Sequence, residues 1–229
     1  MARKKKITRK QLLKEPDEFM TLTGKLIQFA GTHKTQITYA VIAIVALALI
    51  VSAYRFFSIR AENNAMAMLN QAVAKYQLSV KDSDFKEAYS AVSGDFQQIL
   101  KKYGSKKGGK LARVSYANIC FDAGQYEQAI ELYKAALNDF ADHPFVYHLI
   151  LSGIGYAYEQ LNDDQTAVSY FEKITVSDEP VMGGEALFNI GVIYEKFGEK
   201  EKSNQAFDQI LSNYPDSIYI NLVKERPGK

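Results

Sequence analysis

The chain has 229 residues, with 28 Lys and Arg against 26 Asp and Glu, and a single cysteine, Cys120. One cysteine excludes an intramolecular disulfide and a Cys-rich metal site. Its near-balanced charge, mildly acidic beyond the first segment, leaves no nucleic-acid footprint.

Residues 1–34 carry nine Lys or Arg against three Glu or Asp. The basic run at 3–10 reads as a topology signal resting near a lipid surface, in preference to a grip on nucleic acid. After Pro16, Asp17 and Glu18 favour a helix start. Phe19, Leu22, Leu26, Ile27 and Phe29 then recur at near-helical spacing, as in a helix lying on the inner leaflet, although Gly24 and Gly31 weaken that pattern. Between Lys34 and Arg55 there is no charged residue, and Ile37 to Tyr54 holds nine Leu, Ile or Val and five Ala. Twenty helical residues rise about 30 Å, the thickness of a bilayer's hydrocarbon. The expectation is a transmembrane helix over 35–57, with 1–34 a cytoplasmic tail and 58–229 on the extracytoplasmic side. Val51-Ser52-Ala53 loosely fits a cleavage site, but its basic leader would exceed thirty residues, which favours a retained anchor. About 170 residues then remain for one domain with its own core.

Ala65, Met68, Leu69, Ala72, Val73 and Tyr76 predict an amphipathic helix over 61–80. Phe85, Ala88, Val92, Phe96 and Ile99 predict a second over 84–103. Gly104-Ser105-Lys106-Lys107-Gly108-Gly109 reads as a flexible linker.

The remainder repeats. Aligning the small residues Ala117, Gly155 and Gly191 gives periods of 38 and 36 residues. Gly124, Asn162 and Gly198 follow each at a helix terminus that suits a left-handed residue. Ala129, Ala167 and Ser203 come next, then the aromatics Tyr133, Phe171 and Phe207. Pro144, Pro180 and Pro215 close the units, because none can continue a helix interior. Small residues let a second helix approach, and the aromatic fills the gap beside them; neighbouring pairs must stack to bury a core. This pattern resembles the tetratricopeptide repeat, with units at about 110–144, 148–180 and 184–216. The fold class expected is therefore all-α, a single transmembrane helix followed by a repeat-like α-solenoid. Its 61–103 helices would form a divergent first pair, and a short helix starting at Asp216 or Ser217 would close the stack.

Catalysis needs convergent acid, base, nucleophile or metal groups, and none is visible. His33 lies beside the apolar run, His143 precedes Pro144, and His148 is placed at a helix start; no Cys or carboxylate frames them at metal-ligand spacing. Asp163-Asp164 fits a helix start, Cys120 fits packing, and Gly108-Gly109 fits a linker better than a phosphate cradle. The reading is a non-enzyme without cofactor, metal or small-molecule substrate.

The repeat resemblance implies that the first helix of each pair lines a concave, protein-binding surface. It would carry Leu111, Val114, Asn118 and Phe121 from the first unit, Leu149, Ser152, Tyr156 and Glu159 from the second, and Phe188, Val192 and Glu195 from the third. Family members that hold a peptide carboxylate use Lys, Arg and Asn where Val114, Gly153 and Glu185 stand here, so the groove reads as apolar with an acidic rim. It receives either a partner or the chain's own first or last helix. The segment LLKEPDEFMTL, the uncleaved anchor and the run FQQILKKYG…ARVSYANICFDAGQYEQAIELYKAAL resemble the YfgM-like family of ancillary SecYEG translocon subunits. That resemblance implies a bacterial inner-membrane scaffold whose partners are translocon subunits, periplasmic chaperones such as the PpiD type, or exported clients. A scaffold for envelope assembly or cell division is the alternative.

Overall fold

A computed structural model describes residues 18–176 and 180–226. The basic run at 3–10, Pro16, Asp17 and Pro227 lie outside the described residues. Among the described residues the regular structure is entirely helical: α1 (Glu18–Thr32), α2 (Lys34–Asp82), α3 (Phe85–Tyr103), α4 (Lys107–Asp122), α5 (Tyr126–Leu137), α6 (Pro144–Gln160), α7 (Asp164–Thr175), α8 (Pro180–Lys196), α9 (Lys200–Asn213) and α10 (Ile220–Lys224). The chain divides into two units, residues 1–58 and 59–229.

In the first unit, α1 and the start of α2 leave their apolar side chains exposed. Leu22, Leu26 and Phe29 of α1 and Val41, Ile44, Leu47 and Ile50 of α2 all face outward. The most apolar stretch of α2 is long enough to cross a membrane and none of it is buried. Thr32 and Thr38 donate their hydroxyls to the carbonyls of Gln28 and Lys34, at 3.0 and 2.8 Å, so these side chains meet their polar needs within the helix. The sequence reading separated the apolar stretch from the 61–80 helix, whereas α2 is one helix of 49 residues. The reason is local. No Gly or Pro stands between Gly31 and Gly94, so nothing stops the helix before Asp82 and Ser83.

In the second unit the helices pack serially, each on the next from α3 to α10, and α4 also meets α6 while α6 meets α8. Asp84 caps α3 by accepting the Glu87 N–H at 2.8 Å. The residues of α2 beyond Ile59 dock on α4. Glu62 accepts the Gly108 N–H at 3.0 Å at one end, and Tyr76 donates to Asp122 at 3.0 Å at the other.

That docking corrects the linker reading of Gly104–Gly109. Gly108 and Gly109 are buried in the first turn of α4. A Cβ on Gly108 would stand 2.7 Å from the Met66 nitrogen, and one on Gly109 would strike the Tyr103 carbonyl. Gly108 and Gly109 are there for close approach, and the connection between α3 and α4 is confined to a turn at 104–106.

The aligned turn residues hold in all three repeats, and the small–aromatic pairing holds within the second and third. Among the described residues, positive φ occurs at Gly124 (75°), Asn162 (60°) and Gly198 (75°), the three aligned turn positions. A Cβ on Gly155 would stand 2.7 Å from the Phe171 ring, and one on Gly191 would stand 2.5 Å from the Phe207 ring. Tyr133 uses Gly153 of the following helix in the same way, with its ring 2.7 Å from that missing Cβ. Ala129, Ala167 and Ser203 are all buried. Pro144 opens α6 at its first turn, where a missing N–H costs nothing. Two apolar clusters result. Phe96, Ile99, Tyr116, Tyr133 and Ile154 anchor one, and Phe171, Ile174, Ile193, Phe207 and Ile210 anchor the other. Each such side chain, fully buried, is worth about 1.5–3 kcal/mol.

The closing helix α10 starts at Ile220, later than the Asp216 or Ser217 start expected. Ser217 instead accepts the Tyr219 N–H at 3.3 Å and forms the turn before it. His148 is not at a helix start either: it lies in the second turn of α6 and is buried. Asp163 caps α7 through the Thr166 N–H. Asp164 is buried, with one oxygen 2.5 Å from the Lys196 Nζ, so it ties the second repeat to the end of α8.

Candidate protein-binding face

The first helices of the three repeats, α4, α6 and α8, carry the residues assigned to the inner face. They divide into two groups by what they touch. Val114 and Phe121 pack on the first apolar cluster, and Tyr156, Phe188 and Val192 pack on the second. Leu111 and Leu149 belong to neither cluster, with 39% and 45% of their surface exposed, and Asn118 is exposed as well. Ser152 is buried, whereas Glu195 is exposed and pairs with Arg226. Glu159 is half-buried, and burial, with Asp164 nearby, pushes its carboxyl above the usual range.

Polar bonds knit part of this face. Tyr133 reaches from α5 to donate to Asn118 at 2.5 Å. Tyr156 donates its hydroxyl to Glu185 at 2.6 Å and accepts from Asn189 Nδ2 at 2.8 Å, which links α6 to α8. The Tyr156 ring also meets Phe171 edge-on at 5.3 Å. Burial raises the pKa of both phenols, and for Tyr156 the Glu185 bond adds to the rise. Both therefore stay neutral donors near neutrality.

At the third repeat the chain supplies its own cover. Tyr219 stacks on Phe188 with centroids 4.6 Å apart, and the Arg226 guanidinium lies 4.4 Å from the Phe207 ring centre. At the first and second repeats, Leu111 and Leu149 keep their exposure, and Phe145, one turn before Leu149, is 53% exposed. The sequence reading missed Phe145, and it noted Glu185 only as a residue that spoils a carboxylate clamp. Its visible signal was the i, i+4 spacing of Phe145 and Leu149 behind Pro144.

Cys120 and the Gly108–Gly109 pair, considered above for chemistry, are held structurally. Cys120 is buried, and burial pushes its thiol up to about 12, so it is no thiolate nucleophile at neutral pH. Gly108 packs against α2 and Gly109 against the end of α3, as described above. Among the described residues no three His, Cys, Asp or Glu gather as a metal cluster would need.

Comparison with known proteins agrees with this architecture. Family models of the tetratricopeptide repeat match residues 94–145, 150–175 and 185–217. No curated protein matches the chain. Among solved structures, a tetratricopeptide repeat protein from Parabacteroides merdae is similar, with 17% identity and a TM-score of 0.54 over 69% of this chain and 58% of its own. The chain thus spans little more than half of that protein. BtubC (BKLC) from P. vanneervenii is similar at 16% identity and a TM-score of 0.54, over 76% of this chain and 72% of its own.

Proposed function

We propose, from the premise that this chain carries tetratricopeptide repeats, that it is a membrane-anchored scaffold. Its inner face would bind protein at the outer surface of the bacterial inner membrane, as an ancillary subunit of the export machinery. The observation that carries the binding reading is the exposure of Leu111, Phe145 and Leu149 on the inner helices of two adjacent repeats. Side chains whose burial would be worth 1.5–3 kcal/mol each lie open there, on the surface where solenoids take partners. The anchor reading rests on the charge-free stretch in α2 behind a strongly basic leader, the arrangement that keeps an N-terminus inside. The translocon and its chaperones enter as partners from the resemblance of the tail, the anchor and the run from Phe96 to Leu137 alone.

The test is co-purification from gently solubilised membranes. Leu111→Asp with Leu149→Asp is expected to release the partner while the helical signal and melting temperature stay within error. Export subunits in the wild-type eluate support the translocon role, and division or envelope-assembly proteins there replace it. Full retention of every partner by the double variant refutes the inner-face reading. Protease added outside whole cells stripped of their outer barrier should remove everything beyond about Arg60; protection of that region refutes the orientation.

A further inference from the structure

Beside the inner face, a hollow of about 370 Å³ opens between α8 and the segment Asn213–Tyr219. Two glycines bring that segment onto the helix. A Cβ on Gly184 would stand 2.7 Å from the Ser217 hydroxyl, and one on Gly183 would strike the Tyr214 hydroxyl. The walls are Tyr214, Pro215, Ile218 and Tyr219, with Ile218 83% exposed at the rim. The charged side chains on the walls are both carboxylates, Glu185 and Asp216. Neither is paired with a Lys or Arg among the described residues. Glu185 is half-buried and held in place by the Tyr156 hydroxyl on one oxygen.

An immobilised, half-buried carboxylate without a counter-charge attracts a cation more strongly than a solvated one does, because less water screens it. Tyrosine faces beside it accept the stem and head of a basic side chain. Among the described residues no cation stands on the walls, so the hollow lacks the positive charge that a phosphate or a peptide carboxylate calls for. Its volume falls in the range of about 300–1,000 Å³ typical of ligand pockets. We propose that this hollow receives a Lys or Arg, next to an apolar residue that covers Ile218, from an extended segment of a partner protein. This rests on the reading that the inner face binds protein, and it states the chemistry of what is bound.

The experiment is selection of random seven-residue peptides displayed on phage against the full chain in nanodiscs, with empty nanodiscs removing lipid binders. Enriched peptides are expected to share a Lys or Arg flanked by Leu, Ile or Phe. The best one, made with a fluorescent label and followed by anisotropy, should lose affinity about tenfold for Glu185→Gln, Asp216→Asn and Ile218→Ser alike. Asp216→Asn changes an exposed residue, so it tests the idea even if Glu185→Gln alters the fold. Absence of enrichment, enrichment of acidic peptides, or unchanged affinity in Asp216→Asn and Ile218→Ser overturns the proposal. Affinity lost in Leu111→Asp with Leu149→Asp but kept in those two variants overturns the hollow while leaving the inner-face reading intact.

Discussion

Replacing Gly191 by Ala adds one methyl group at the contact that sets the third repeat. In an exposed helix the change is favourable by about 1 kcal/mol, since Ala loses less backbone freedom than Gly. Gly94 in α3 meets that condition, because a Cβ there finds nothing within 4 Å. At Gly191 the same Cβ would lie 2.5 and 2.7 Å from two carbons of the Phe207 ring, well inside the ~3.5–4.0 Å optimum for carbon contacts. The ring has nowhere to go: it is 2% exposed, with Phe188 6.0 Å away and Arg226 against its face. Overpacking of this kind costs about 1–3 kcal/mol, so Gly191→Ala is expected to lose up to about 2 kcal/mol net. In a chain of this size that lowers the melting temperature by several degrees, whereas Gly94→Ala should raise it by about 2–4 °C. The assay is thermal melting of the full chain in mild detergent by circular dichroism. A double-mutant cycle with Phe207→Leu isolates the contact, because the smaller side chain should remove most of the cost. If Gly191→Ala stabilises as Gly94→Ala does, or costs the same with Leu at 207, the close approach of α8 and α9 is not what positions the repeat.

Further outcomes follow from other contacts. Gly108→Val should cost about 2 kcal/mol or more, because the atoms it meets at 2.7–2.9 Å include backbone of α2, which cannot swing aside; limited proteolysis within 59–103 should then accelerate. Phe188→Ala should cost about 2 kcal/mol, since Tyr219 stacks on it, while Leu149→Ala should stay within about 0.5 kcal/mol; melts of the two variants separate a covered residue from an open one. Stability should fall as pH rises above about 9. The Cys120 thiol and the Tyr76, Tyr116, Tyr133 and Tyr156 phenols have folded pKa values raised above their ordinary 9.0 and 10.0, so the unfolded chain ionises first and draws the equilibrium toward itself. A melting temperature that rises between pH 9 and 11 contradicts this. For the same reason, iodoacetamide at pH 8 should label Cys120 only in denaturant.

The repeat was legible because its determinants are local and periodic. A left-handed terminus needs Gly or Asn, and Gly124, Asn162 and Gly198 announce it wherever they recur. A helix crossing close to a ring needs a residue without a side chain, which made Gly155 and Gly191 visible as partners of Phe171 and Phe207 at a fixed distance along the chain. The apolar stretch of α2 was equally plain, since length and absence of charge are properties of sequence alone. Gly108 misled because glycine means freedom in a loop and close packing in a helix, and only the approach of Ala65 and Met66 from over forty residues away chooses between them. The residues assigned to the inner face are legible as a stripe, whereas their exposure is not. Spacing put Phe188 and Leu149 on one stripe, three positions apart in the repeat register, yet Phe188 lies under Tyr219 while Leu149 stays open. That difference is made by the chain's return from α9 to α10, and no periodicity within α6 or α8 encodes where a distant segment comes to rest.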